Sequence, residues 1–314
     1  MTVSYAHSPI GLLLMAYGGP DSLDDVEPYL LDIRGGRPTS PELVAEIRHR
    51  YALIGGRSPL LEITRQQAQA LEAYLNRSGE ARVRAYVGMR HWRPRIKEAL
   101  VQMAADGIQQ AVTLVMAPHY SRMSTGAYFK KLDEAIQELG VDIQFTRIES
   151  WHNRPGLIAA LGEKARAALE RFDADNGPAL PKVIFTAHSL PARILEWGDP
   201  YDTQLRETAT RLAKHLGLPS ERWLFCYQSA GRSAEPWLGP PIEEVIVASA
   251  QAGEKRLLVV PIGFVCDHVE ILYDIDIESR QLASAHGAQL ERSESLNVSP
   301  TFIAALADLV RDKI

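Results

Sequence analysis

Three carboxylates, Glu270, Asp274 and Glu278, are spaced four residues apart, and on a helix that spacing stacks them along one face. Like charges at this spacing cost roughly a few tenths of a kcal/mol per pair unless a cation compensates, and a divalent metal or a moving proton would supply that compensation. A solvated acidic helix face is the plainer account of the spacing alone. Against it, the stripe follows an apolar run at 256–262 and is interleaved with Val269, Ile271, Leu272 and Tyr273.

His188 closes a second apolar run, in Thr186-Ala187-His188-Ser189-Leu190-Pro191. An imidazole and a carboxylate can hold a divalent transition metal while its waters leave and can take up protons near neutral pH. Nucleophilic chemistry at Ser189 is disfavoured, because adjacent residues on an extended segment point to opposite faces and no G-x-S-x-G turn is present. Neither G-x-x-x-x-G-K-S/T nor a complete G-x-G-x-x-G occurs, which removes the main support for a nucleotide site. His91, His119 and His152 lack an accompanying constellation and are read as hydrogen-bonded structural groups. That leaves His188 as the one clear histidine for a cleft.

Positioning these groups falls to apolar runs of strand length at 11–16, 83–87, 111–117, 141–145, 182–186, 223–227 and 256–262. Segments of helical period lie between them, at 22–33, 41–54, 61–75, 94–105, 124–139, 155–171, 201–216, 241–251 and 300–313, several with proline near the first turn. Continuously apolar strands alternating with helices predict buried parallel sheets, hence an α/β class. In such sheets ligands sit beyond the carboxyl ends of the strands. The residues there are Tyr17-Gly18-Gly19-Pro20, Pro118-His119-Tyr120-Ser121, His188-Ser189-Leu190-Pro191, Gln228-Ser229-Ala230-Gly231 and Gly263 through Glu270. Five polar tips of this kind suit one shared cleft.

The 314 residues carry 34 Lys and Arg against 39 Asp and Glu, a formal charge of −5, with 46% hydrophobic composition. Such a chain is globular, is long enough for two domains, and is a poor nucleic-acid binder by broad phosphate neutralisation. No basic segment precedes the short apolar run near the N-terminus, and no stretch approaches the roughly 18 apolar residues of a membrane span. A cytoplasmic protein without an integral membrane segment is expected. Cys226 and Cys266 are too few for a disulfide framework or a four-thiolate cluster. Charge is uneven: from Arg34 to Lys97 there are 13 Lys and Arg against five Glu, Glu80 among them. Arg65, Arg77 and Arg82 are read as solvated, but a basic N-terminal half suits an anionic substrate, and arginine offers forked donors that match carboxylates. The Pro- and Gly-bearing stretch at 151–156 marks the best boundary.

Taken together, Met15-Ala16-Tyr17-Gly18-Gly19-Pro20, Ile54-Gly55-Gly56-Arg57-Ser58-Pro59-Leu60, Thr186-Ala187-His188-Ser189-Leu190-Pro191, Gly198-Asp199-Pro200-Tyr201, Gln228-Ser229, Pro236-Trp237-Leu238-Gly239-Pro240 and Val260-Pro261-Ile262-Gly263-Phe264 through Asp267-His268-Val269-Glu270 resemble ferrochelatases, from about Gly11 to the C-terminus. The resemblance implies two Rossmann-like domains of the class II chelatase kind, with parallel sheets flanked by helices. The first, 1–150, would carry the basic porphyrin-binding segment; the second, 151–314, would carry His188 and Glu270, its last helix packing back on the first. The implied activity is that of a lyase of haem and porphyrin biosynthesis, which inserts Fe²⁺ into a porphyrin and releases two protons. Iron is then a substrate, and no cofactor is permanently bound. By the same resemblance His188 and Glu270 face each other across the cleft as catalytic and metal-binding residues, with iron binding and proton transfer undivided between them. Asp274 and Glu278 would continue towards solvent as a secondary metal or proton path.

Tyr17 stands where coproporphyrin-using members resemble one another in carrying a tyrosine that reaches the product iron, whereas protoporphyrin-using relatives carry an apolar residue. Arg34, Arg50, Ser58 and Tyr128 would line the porphyrin or hold its propionates, and four carboxylates on coproporphyrin suit the basic segment. The resemblance thus implies a coproporphyrin III ferrochelatase that forms coprohaem. Protoporphyrin IX is the alternative substrate; a sirohydrochlorin cobaltochelatase, marked by more than one cleft histidine, and a non-catalytic haem carrier, needing no proton acceptor, are more distant. Members with an iron–sulfur cluster carry a cysteine-bearing C-terminal extension, and this chain ends at Ile314, so no cluster is expected. Cys266 is expected to be buried filler. Downstream haem-pathway enzymes are the protein partners the resemblance suggests.

Overall fold

The computed structural model describes residues 8–77, 82–176 and 180–314. Glu80 and the first seven residues, used above for the charge and leader readings, lie outside the described residues. Along β1 (Ile10–Ala16), Leu12 and Leu14 alternate with Leu13 and Met15, and all four are fully buried. A strand apolar on both faces needs cover on both. Leu12 and Leu14 join one core cluster, and Leu13 and Met15 another.

Two parallel sheets result. In the first, β1 pairs with β2 (Val83–Met89) and β3 (Gln110–Val115), and β3 with β4 (Gln144–Ile148). In the second, β5 (Lys182–His188) pairs with β6 (Trp223–Gln228) and β7 (Arg256–Pro261), and β7 with β8 (Gln289–Arg292). The strand orders β2-β1-β3-β4 and β6-β5-β7-β8 are the same order used twice.

Each sheet has an outer and an inner face. Helices α4 (Ile96–Ala105) and α5 (Thr125–Leu139) cover the outer face of the first through Leu100, Met103, Phe129 and Leu132. Helix α8 (Ile242–Gln251) covers that of the second through Val245 and Ile246. Between the sheets one continuous core joins Leu71 of α3 (Leu60–Leu75), Leu157 and Ala165 of α6 (Pro155–Asn176), Leu205 and Leu212 of α7 (Tyr201–Leu216) and Phe302 and Leu306 of α11 (Pro300–Arg311). Helix α11 packs on both α3 and α6, so the C-terminal helix ties the halves together. Truncating one of these buried leucines to alanine removes about 2–5 kcal/mol.

Three elements differ from the sequence expectation. The fourth strand is Gln144–Ile148 rather than 141–145, because this edge strand, mostly exposed, takes its register from β3, where Gln110 pairs Gln144. Strand β8, four residues of mixed polarity, gave no periodic signal. After β7 the chain runs through α9 (Val269–Leu272), a π-helical turn at Asp274–Ser279 and α10 (Arg280–Ala285). No described helix is long and apolar enough to cross a membrane.

Candidate active site

In a sheet ordered 2-1-3-4 the chain leaves β1 in one direction and β3 in the other, opening a crevice at their carboxyl ends. Here both crevices line one cavity of about 290 Å³: Tyr17 and Ala117 from the tips of β1 and β3, His188 and Gly263 from those of β5 and β7. At the β1 tip Gly18 adopts φ +97°, and a Cβ on Gly19 would meet Ser58 at 2.5 Å. The two glycines therefore let the chain turn sharply and let Ser58 approach.

His188 is the last residue of β5; its carbonyl accepts from Tyr201 Oη at 3.0 Å, and its ring meets Trp237 edge-on with centroids 6.4 Å apart. Nδ1 lies 3.1 Å from Oε2 of Glu270, at ion-pair range but off the line of a directed hydrogen bond. The two side chains keep 30% and 33% of their surface accessible, in the cavity that both line. Gln228 Nε2 donates to the carbonyl of Glu270 at 2.7 Å. Burial, the largest influence, drives the His188 imidazole towards neutrality, but Glu270 and then Asp274 outweigh it and raise its pKa above the ordinary value. Burial pushes Glu270 up as well, yet His188 and His268 hold its carboxyl well below the usual range. These influences favour the charged forms, an imidazolium facing a carboxylate.

His268 makes this a three-membered group. Its Nδ1 lies 3.0 Å from the carbonyl of Cys266, which can only accept, so Nδ1 donates there; Nε2 faces Glu270 Oε2 at 3.7 Å. His119 also lines the cavity. Its Nε2 contacts Thr208 Oγ1 at 2.9 Å, while its buried Nδ1 finds no partner and burial drops its pKa to about 3. The expectation of a single cleft histidine is thus corrected: His119, His188 and His268 all line it. Among the described residues, no group of three or more His, Cys, Asp or Glu is arranged to hold a metal ion.

The carboxylate stripe runs outward as its spacing suggested, but not on a regular helix. The N–H groups of Ile277 and Glu278 both reach the carbonyl of Tyr273, at 3.1 and 3.0 Å, which widens the turn by one residue. Asp274 keeps 15% of its side chain accessible and Glu278 46%. Arg50 of α2 (Pro41–Leu53), in the other half of the chain, supplies the compensating cation: it reaches Asp274 at 3.3 Å, Glu278 at 3.6 Å and Glu46 at 2.9 Å. Its guanidinium also sits 4.8 Å over the Tyr273 ring. Asp274 accepts from Ser229 as well. Burial first, then the charge of Glu270, raise its pKa to about 6 against the pull of Ser229 and Arg50.

Of the other sequence-nominated residues, Tyr17, Ser58 and Tyr128 line the cavity, whereas Arg34 and Arg50 are outside its lining. Tyr17 keeps 39% of its surface, and burial of the remainder raises its pKa to about 12 despite Arg90. Ser189 Oγ is turned away, donating to the carbonyl of Leu238 at 2.8 Å. His91 is held by Asp32 at 2.9 Å, and His152 lies between Ser150 and Glu207 at 2.8 and 2.9 Å. Cys266 is buried and its thiol is pushed up to about 12.

His268 and Arg90 are among the lining residues that sequence reasoning passed over. His268 had a signal, since it caps α9 two residues before Glu270. Arg90 directly follows β2 and so sits at a strand tip, the sixth in a set from which only five were drawn.

Known proteins resemble this chain in sequence and in fold. The sequence pattern of the Ferrochelatase family matches residues 9–314. A Ferrochelatase of Deinococcus radiodurans is 45% identical over 313 residues, covering 100% of this chain and 98% of that protein. A Coproporphyrin III ferrochelatase of Bacillus subtilis is 39% identical over 310 residues, covering 97% and 98%. Among solved structures, SirB from Bacillus subtilis with Fe³⁺ superposes with a TM-score of 0.59 at 11% identity, covering 97% and 95%. That last likeness speaks for the fold alone.

Proposed function

The chain belongs to the ferrochelatase family, and on that premise we propose that it inserts Fe²⁺ into coproporphyrin III, yielding coprohaem and two protons. The observation that carries this reading is one cavity lined by the His188–Glu270 pair from one half of the chain and by Tyr17 from the other. Coproporphyrin III ferrochelatases among the relatives, at 40% and 39% identity, support the choice of substrate.

Insertion has three requirements: a donor for iron as its waters leave, an acceptor for two pyrrole protons, and a wall that holds the macrocycle out of plane. In the proposed mechanism His188 gives up its proton before its nitrogen can serve as a donor, and an arriving dication favours that loss. Glu270 starts ionised and can then accept a proton or share the metal. His268 contacts the same carboxylate and limits its motion. Asp274, with a pKa near solvent pH at about 6, is suited to pass protons or cations outward to Glu278, with Arg50 giving way. Arg34, Arg50, Ser58, Tyr128 and Tyr17 complete the proposed porphyrin contacts.

The test is anaerobic incubation of the protein with Fe²⁺ and either coproporphyrin III or protoporphyrin IX, following the absorption spectrum. Faster metallation of coproporphyrin III is expected. A preference for protoporphyrin IX overturns the substrate assignment.

A further inference from the structure

Arg90 is a cation in the cavity wall that has no counterion among the described residues. It follows β2, and its N–H donates to the carbonyl of Ala16 at 2.9 Å, which sets it beside Tyr17. Its guanidinium carbon lies over two rings, 5.8 Å from the centre of Tyr17 and 5.4 Å from that of Tyr128. The guanidinium's one described hydrogen bond is long, from Nη1 to the carbonyl of Met123 at 3.4 Å. Among the described residues no carboxylate lies within ion-pair reach of it.

Neighbouring basic groups are differently placed. His91 and Arg95 share Asp32 at 2.9 and 2.8 Å, Arg84 reaches Asp106 at 3.1 Å, and Arg50 is taken up by Glu46, Asp274 and Glu278. Arg50 can accept another anion only by releasing one of its own.

A guanidinium stacked on aromatic faces gains cation–π attraction, yet its N–H donors lie in its own plane and stay free. A planar carboxylate arriving edge-on takes two of them at once. The phenolic oxygen of Tyr17 fits less well, because burial raises its pKa to about 12 and keeps it uncharged.

We propose that Arg90 is a carboxylate subsite of this cavity, binding one propionate of the porphyrin between the rings of Tyr17 and Tyr128. The inference rests on the porphyrin reading above, and not on the choice between coproporphyrin and protoporphyrin.

The experiment measures equilibrium binding by porphyrin fluorescence in one detergent, for the unaltered protein, Arg90→Gln and Arg90→Lys. The ligands are coproporphyrin III, with four carboxylates, and etioporphyrin, with none. A lost charge-assisted contact corresponds to about a tenfold or greater rise in Kd. That rise is expected for coproporphyrin III with Arg90→Gln, partly recovered in Arg90→Lys and accompanied by a weaker salt dependence, while etioporphyrin binding stays unchanged. Equal weakening of both ligands would make Arg90 a packing residue and overturn the subsite. So would an unchanged Kd, including one paired with an altered product spectrum, which would make the Tyr17 oxygen its anion. If the unaltered protein metallates only protoporphyrin IX, the substrate reading fails while the binding result still decides the role of Arg90.

Discussion

The tip of β1 presents Tyr17 to the cavity, and the matching tip of β5 presents His188; the tips of β3 and β7 likewise present Ala117 and Gly263. Two sheets with one strand order thus meet at one place with opposite chemistry. The first half contributes aromatic rings and an arginine, through Tyr17, Tyr29, Tyr128 and Arg90. The second contributes imidazoles and carboxylates packed closely together, through His188, His268, Glu270 and Asp274, with Glu270 raising the pKa of both His188 and Asp274. The repeated architecture supplies the crevice, and the residues grafted onto its tips divide the work. On this view the first half grips a macrocycle and the second handles metal and protons.

The sharpest way to break that division is to delete the second half's chemistry. His188→Ala and Glu270→Gln are each expected to lower the maximal insertion rate by about 10²–10⁴-fold. Porphyrin affinity, measured by fluorescence, is expected to change by less than about threefold, a margin set by the apolar contacts that remain. Near-normal turnover in either variant removes that residue from the chemistry. Porphyrin binding lost along with turnover would show that the second half grips the macrocycle too.

A smaller effect concerns pH. Because His188 must be neutral to donate to iron, and Glu270 raises its pKa, activity should climb as pH rises through that raised value, by up to about tenfold per unit on the acid side. In Glu270→Gln the larger raising influence is lost and only that of Asp274 is left to oppose burial, so the residual activity should climb at lower pH than in the unaltered protein. The pH–rate profiles of the two proteins check this; a shift to higher pH, or none, would contradict it.

How far these groups were readable in advance depends on whether they sit in contiguous motifs or across the interface. Strand β1, with five consecutive fully or nearly fully buried positions from Leu12 to Ala16, announces itself because a doubly covered parallel strand has to be apolar throughout. His188 and Glu270 were legible because each ends or follows such a strand. Strand β8 was not, since the four residues of Gln289–Arg292 take their strand character from pairing with β7. The role of Arg50 was equally hidden. Its partner Asp274 lies 224 positions away, and no local pattern reports a contact between α2 and the π-helical turn.

That contact allows the comparison to be sharpened at the boundary between the halves. Replacing Asp274 by Asn and Glu278 by Gln together should raise the iron concentration needed for half-maximal rate several-fold, about 3–10-fold if an exposed two-carboxylate path is lost. The maximal rate should fall far less than in Glu270→Gln. Acid should mimic the double variant, because Asp274 gains its proton as pH falls through about 6. Relief of like-charge repulsion alone would stabilise the helix slightly, but here Arg50 would keep only Glu46 and the halves would lose a tether. A net loss of about 0–1 kcal/mol is expected by calorimetry, as for partly exposed ion pairs. An unchanged iron dependence together with a marked loss of stability would make the stripe a structural tether and no path at all.

Tyr17→Phe should have the smallest effect on rate, and its value lies in what else it changes. The hydroxyl is no proton acceptor at neutral pH, since burial has raised its pKa to about 12, and the ring itself, with its contacts to His91 at 4.6 Å and Arg90, is retained by phenylalanine. Insertion should therefore stay within about twofold of normal, below the change that losing a transition-state contact brings. Once the bound product has been oxidised to the ferric state by air, its iron would deliver the missing charge: a ferric centre draws a phenolic oxygen towards the ionised form, and a phenolate ligand has its own absorption signature. The spectrum of bound product should accordingly differ between Tyr17→Phe and the unaltered protein, with rates alike. If the spectra coincide, the oxygen of Tyr17 never meets the iron, and the first half serves the macrocycle alone. If instead the rate collapses, the line between the halves has been drawn in the wrong place, because chemistry then depends on a side chain from the tip of β1.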